Sequence, residues 1–294
     1  MATRISRLTA CAATGFVFCA TSLAQDAGKI HNFSIAPEVS SYEYKEPGLM
    51  KYSGTMYGLT AEYLNNGGVG RIKESMPIQL RARLTYMRGN NLDYDGKSYT
   101  INPDGSMSIA PFKFGGDQHY YYDTIFAGGI EVKVTEKLSI SPYQGLGYRY
   151  LVDKDVGTVG IFYDNKGTPI PMQDNKREQT YYYLPTGVDL KMPLGSGWKL
   201  AFNTELDILL RGENKSHHED GVREYRQESG YGLRVSAKVE KDIQSVGVFA
   251  EPFFRHWDIA KSNKILAKEG GVQVRSWEPK NKTNEYGLRV GVTF

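Results

Sequence analysis

Cysteine is almost missing from this chain of 294 residues: there are two, Cys11 and Cys19, and both fall within the first 24 positions. If that segment is removed on export, the remainder can build neither a disulfide framework nor a thiolate metal site. Long apolar runs are missing as well. Beyond residue 24 no stretch approaches the about 20 apolar residues that a membrane-crossing helix requires. A charge excess is also lacking. The chain carries 36 Lys and Arg against 33 Asp and Glu, and only Arg4 and Arg7 lie in the first 24 residues, so the rest is close to neutral. Such a balance offers no basic surface for nucleic acid. What the chain has in plenty is tyrosine, 21 residues, and glycine, 32. The mean hydropathy of −0.46 looks like that of a soluble protein, but it also fits strands in which every second residue is polar.

The first 24 residues have the layout of a secretory signal. Arg4 and Arg7 form a basic start, Leu8 to Leu23 is mostly apolar or small, and Ser22-Leu23-Ala24 places small residues where a signal peptidase reads them. Cleavage is expected before Gln25. A membrane anchor is a poorer reading, because Thr, Ser and Gly interrupt the run. Leu8-Thr9-Ala10-Cys11 resembles a lipoprotein box but has no apolar stretch ahead of it. The expected division is therefore a removed signal peptide, 1–24, and one domain, 25–294.

Period-two alternation dominates the remainder. From Ile78 to Tyr86 one face reads Ile, Leu, Ala, Leu, Tyr and the other Gln, Arg, Arg, Thr. A helix could not separate these classes. The pattern recurs in ten segments, at about 33–45, 50–64, 76–88, 120–134, 138–151, 179–192, 197–211, 229–240, 245–257 and 284–294. Each is long enough for the roughly 9–11 residues with which a tilted strand crosses a bilayer.

The connectors alternate too. The odd-numbered links, 45–50, 89–119, 152–178, 212–228 and 258–283, are long and polar with one exception. The even-numbered links, 65–75, 135–137, 193–196 and 241–244, are mostly tight turns. Short periplasmic turns and long outer loops are the asymmetry of an outer-membrane barrel, with both chain ends in the periplasm. On this register Tyr86, Tyr122, Tyr148, Tyr182, Tyr231 and Tyr286 lie on the apolar face near outer strand ends, and Tyr63, Trp198 and Phe294 near inner ends. These are two interfacial girdles.

The chain closes with Tyr286, Leu288, Val290, Val292 and Phe294 on one face. With that aromatic terminus the sequence resembles the bacterial outer-membrane β-barrel superfamily, in the manner of an OmpA-like or porin-like barrel. The resemblance spans residues 25–294. It implies an all-β, membrane-spanning, antiparallel up-and-down β-barrel, placed among outer-membrane lipids of a Gram-negative bacterium. It also implies that the last strand is read by the barrel-assembly machinery.

Ten strands make a narrow barrel. The inward faces carry charges of both signs, among them Arg81, Arg83, Arg149, Lys191, Arg211, Arg234, Arg255 and Arg289 with Glu38, Glu62, Asp189, Glu205, Asp207, Glu251 and Glu285. Such a mixture is expected to pair into a plug rather than line a pore. Inward Tyr121, Tyr181 and Tyr183 are expected to close the top. Omptin proteases, also ten-stranded, use an acidic pair facing an Asp–His pair. Here Asp93 and Asp95 lie in one outer link and His217-His218-Glu219-Asp220 in another. The omptin signatures are absent around both, so no catalytic, cofactor-binding or metal residue is assigned. His256 lies near the outer rim without a Ser or acidic partner, and His31 and His119 are isolated. The expectation is a structural or interaction-type outer-membrane barrel presenting surface loops. Its alternatives are a narrow channel for ions or small solutes and an omptin-like surface hydrolase.

Overall fold

An alternating strand has one face for lipid and one for polar groups, and it can satisfy its backbone in lipid only if the sheet has no edge. The computed structural model meets that condition. It describes residues 31–101, 107–154, 161–163, 169–171, 176–218, 221–269 and 272–294. The ten barrel strands are β1 (His31–Glu46), β2 (Met50–Lys73), β3 (Met76–Ile101), β4 (Met107–Ile130), β5 (Leu138–Lys154), β6 (Lys176–Gly195), β7 (Trp198–His218), β8 (Gly230–Ile243), β9 (Val246–Ile259) and β10 (Asn281–Thr293). Each pairs antiparallel with the next, and β10 pairs with β1 to close the ring. At that seam Glu38 faces Arg289 and Tyr42 faces Glu285. Phe33 and Phe294 finish it by exchanging backbone hydrogen bonds of 2.8 and 3.4 Å. The expected signal segment and its cleavage site lie outside the described residues.

The register agrees with the sequence reading. Leu80, Leu84, Leu206 and Val235 are exposed on the outer face, whereas Arg81, Arg83, Glu205 and Asp207 are buried within. Cross-strand partners Tyr86 and Tyr122 bring their rings to 4.9 Å, and Tyr148 and Tyr182 to 5.5 Å. These rings form the outer girdle. Trp198 stands near the inner interface and Ile208, the partner of Tyr231, near the outer one. At about 3.4 Å per residue and the usual strand tilt, that span covers about 26 Å of the normal, close to the roughly 25 Å apolar band of such barrels.

Several strands run well past the expected ends. β3 and β4 remain paired as far as Ile101 and Met107, so most of link 89–119 is a two-stranded arm rather than a loop. From Tyr86 to Ile101 that arm runs about 50 Å along the strand. β7 continues to His218 against an added strand, Gly221–Gln227, and β2 continues to Lys73 on the inner side. Outside lipid both faces can be polar, so alternation fades while backbone pairing persists. Another departure concerns Arg211. A register shift between Leu209 and Arg211 inverts the facing of β7 beyond it. Leu209 is buried, and Arg211 points outward to Glu213 instead of into the lumen.

Candidate functional site

Because the strands alternate, every second side chain of the ring meets the others in the lumen, and several of its charge pairs follow from register. Glu38 and Arg289, Arg289 and Glu251, Arg255 and Glu285, Glu205 and Arg234, and Asp123 and Arg149 are all cross-strand neighbours. Glu251 accepts from Arg289 at 2.6 and 2.8 Å, and Glu38 accepts from Arg255 at 2.8 Å and Arg289 at 3.3 Å. Other pairs cross the barrel. Arg234 of β8 reaches Asp123 of β4 while its Nε lies 2.9 Å from Asp207 and 3.1 Å from Glu205. Arg81 of β3 bridges to Asp189 of β6, and Arg83 to Glu205 of β7. Tyrosine hydroxyls complete the network: Tyr143 donates to Glu205 and Tyr121 to Glu285, both at 2.7 Å, and Tyr183 donates to Asp123 at 2.8 Å.

Above this layer the lumen is filled by apolar and aromatic side chains. Tyr42, Tyr44, Tyr52, Met56, Met87, Leu92, Tyr121 and Leu151 form one buried cluster. Ile125, Tyr181, Tyr183, Leu209, Trp257 and Ile259 form the other. Inward glycines make room for the rings. A Cβ on Gly147 would collide with the ring of Tyr183, and one on Gly187 with that of Tyr143. Arg149 stacks over Tyr121 at 3.9 Å. The expected inward Tyr121, Tyr181 and Tyr183 do close the top. His119, isolated in sequence, is wholly buried here, 4.5 Å from the ring of Tyr52. Burial pushes its pKa down to about 4, so it is neutral at pH 7.

At the outer mouth a single guanidinium gathers three carboxylates. Arg177 of β6 holds Glu46 of β1, Asp153 of β5 at 2.9 Å, and Glu278 of the last outer link at 3.0 Å. Glu278 is fixed further by Ser262, whose backbone N–H donates to its carbonyl and whose Oγ accepts from its N–H. Burial, helped by Glu46 and Asp153 and opposed by Arg177, pushes the Glu278 carboxyl up to about 7. This clamp was not legible in the sequence, because its members sit at strand ends or in a link where alternation has stopped. Asp123 was also passed over, although alternation places it inward between Tyr121 and Ile125.

Of the residues compared with protease chemistry, Asp95 and His217 have partners of their own. Asp93 is exposed, and Asp95 pairs with Lys113 at 3.1 Å on the outer arm of β3. His217 lies at the end of β7, with β4, β5 and β6 between them, and its Nε2 is 3.5 Å from Glu178. Glu219 and Asp220 lie outside the described residues, as does the side chain of His218. His256 points outward and meets Asn284 at 2.7 Å. Among the described residues no group of three or more His, Asp or Glu side chains could hold a metal ion.

Beside this closed ring of ten antiparallel strands, residues 134–294 match a family model, Outer membrane protein OpcA. The chain belongs to the OpcA family. It is thus an outer-membrane protein. No curated protein matches it. Among solved structures, the outer membrane protease OmpT from Escherichia coli aligns with a TM-score of 0.65 at 10% identity, covering 92% of this chain and 99% of that one. The translocator domain of autotransporter NalP from Neisseria meningitidis aligns at 0.41 and 8% identity over 95% of each chain. Ail, the attachment invasion locus protein of Yersinia pestis, aligns with a TM-score of 0.32 at 10% identity, covering 90% of this chain and 98% of that one. At such identity the likeness to OmpT concerns the fold alone.

Proposed function

We propose that this OpcA-family protein is an interaction-type barrel: a sealed membrane cylinder that holds an outer surface of paired strands in fixed orientation for binding outside the cell. The observation that carries this reading is the filled lumen. Two apolar clusters lie above a layer of crossing ion pairs, so among the described residues side chains occupy the outer and middle lumen. The arms above the girdle are extensions of the barrel strands, so a partner would meet a preformed surface and little ordering entropy would oppose binding. The reading predicts that purified protein in planar bilayers shows no steady conductance, and that bacteria displaying it adhere to surfaces that undisplayed cells do not. A stable open channel, or equal adherence with and without the protein, would overturn it.

A further inference from the structure

The lumen is not filled along its whole length. Below the ion-pair layer a cavity of about 340 Å³ remains, within the range of small-molecule sites. Its walls come from the inner ends of the strands, where Ser34 and Thr293 of the seam stand, so it opens toward the periplasmic mouth. Its floor is Arg81, Arg83 and Asn203.

The wall is unevenly matched. Lys238 and Lys199 are held by Glu240, and Arg289 by Glu251. Lys191 is half-buried on the wall, and no ion pair or hydrogen bond engages its ammonium among the described residues. The Nε–H of Arg81 is buried without a hydrogen-bond acceptor; its nearest carboxylate, Glu62, lies 3.6 Å away. Arg81 itself is only 7% exposed and is held in place by Asp189 and by stacking over Tyr143 at 4.3 Å. The lining carries six basic side chains against four acidic ones, and a free ammonium on such a wall favours acceptor oxygens carrying negative charge.

We propose that this vestibule is a periplasm-facing binding site for a small solute bearing carboxylate or phosphate oxygens, with the Lys191 ammonium as its donor. The site lies on the opposite side of the plug from the outer surface and is independent of the role proposed for that surface. Carboxylate and phosphate offer the same acceptor chemistry. The phosphate could belong to a soluble molecule or to a phospholipid headgroup at the inner interface.

The test uses the whole folded protein in nanodiscs of zwitterionic lipid, titrated calorimetrically with citrate and with pyrophosphate. Saturable binding of at least one probe is expected. Lys191→Met should weaken it by about tenfold or more, and Lys191→Arg should restore most of it. Lys191 has no ionic partner to strand, so the variants should fold, and heat-modifiable electrophoretic mobility checks this. Arg275→Met, exposed on the outer side, should leave binding unchanged. If phosphatidylglycerol in the nanodisc abolishes binding of the soluble probes in the parent, the phosphate is that of a lipid headgroup; if it does not, the ligand is a soluble anion. Absence of saturable binding, or binding that Lys191→Met leaves unchanged, overturns the site.

Discussion

Arg234 shows how a single lumen residue supports several others. Its guanidinium lies among Asp123, Glu205 and Asp207, all of them buried. Breaking a buried pair leaves its partner desolvated and unmatched, which costs about 3–5 kcal/mol. Arg234→Met should therefore destabilise the refolded barrel by about that much in urea titration. Removing charge on both sides, with Asp123→Asn and Asp207→Asn added, should recover part of the loss. If the single variant unfolds with the parent, the ion-pair layer contributes little. On the other face the relevant quantity is transfer to lipid. Val290 is exposed midway between Tyr286 and Phe294, and Val290→Arg should destabilise by roughly 2–4 kcal/mol in the same assay. Both residues were assigned to the correct face by alternation alone, since one residue of slip would exchange them. The sequence was silent on which carboxylate Arg234 would meet. Asp123 is 111 positions away.

Among the elements, the last outer link and β10 differ in what holds them. The link is tied to the mouth through Glu278 and Arg177. Docked, Glu278 keeps its proton up to about pH 7, whereas released into solvent it would ionise near the ordinary 4.5. Docking is then strongest below pH 4.5, weakens as pH rises through that window, and levels off above about 7. Hydrogen exchange of amides 259–280, corrected for intrinsic rate, should show this slope, and Glu278→Gln should flatten it. An unchanged slope in the variant would mean that another group controls the link. Global unfolding should carry an opposite contribution from His119. It is neutral in the fold and has an ordinary pKa of 6.5 when exposed, so its stabilisation is present above 6.5 and is lost as pH falls toward 4. β10 is held by pairing on both sides, to β9 and β1. Deleting Phe294 removes a terminal contact with Phe33. We expect the deletion to lower the amount of protein assembled in the membrane more than the unfolding stability of protein already folded. Equal yield would show that the assembly machinery does not read this residue.

Taken as one object, the barrel is asymmetric along its axis: aromatic lid, ion-pair layer, then an open vestibule. Water-soluble thiol reagents should therefore reach a cysteine at Ser34 from the periplasmic side only, and should not reach one at Met87 from either side. Ser34 lines the cavity, and Met87 has 0% exposure. Both native cysteines lie in the expected signal segment, so the background should be clean. Labelling at Met87 would show that the lid is not closed.

The sequence by itself determined the ten crossing strands, their facing except beyond the bulge at Arg211, the girdles and the pairing of the last strand with the first. Each follows from a local period of two together with the rule that no backbone group stays unpaired in lipid. It also determined that the lumen would be rich in charge of both signs. Tertiary structure alone decided which charges meet across the lumen. Arg81 with Asp189, Arg83 with Glu205, and Arg177 with Glu46 join strands that are not neighbours, and Arg177 also reaches Glu278 of the last outer link; their matching depends on the stagger with which the sheet closes. The same closure decided where filling stops. Large rings crowd the outer half, where inward glycines admit them. In the inner half the residues Ser34, Ala36 and Ala201 are too small to meet across the barrel, and the vestibule remains.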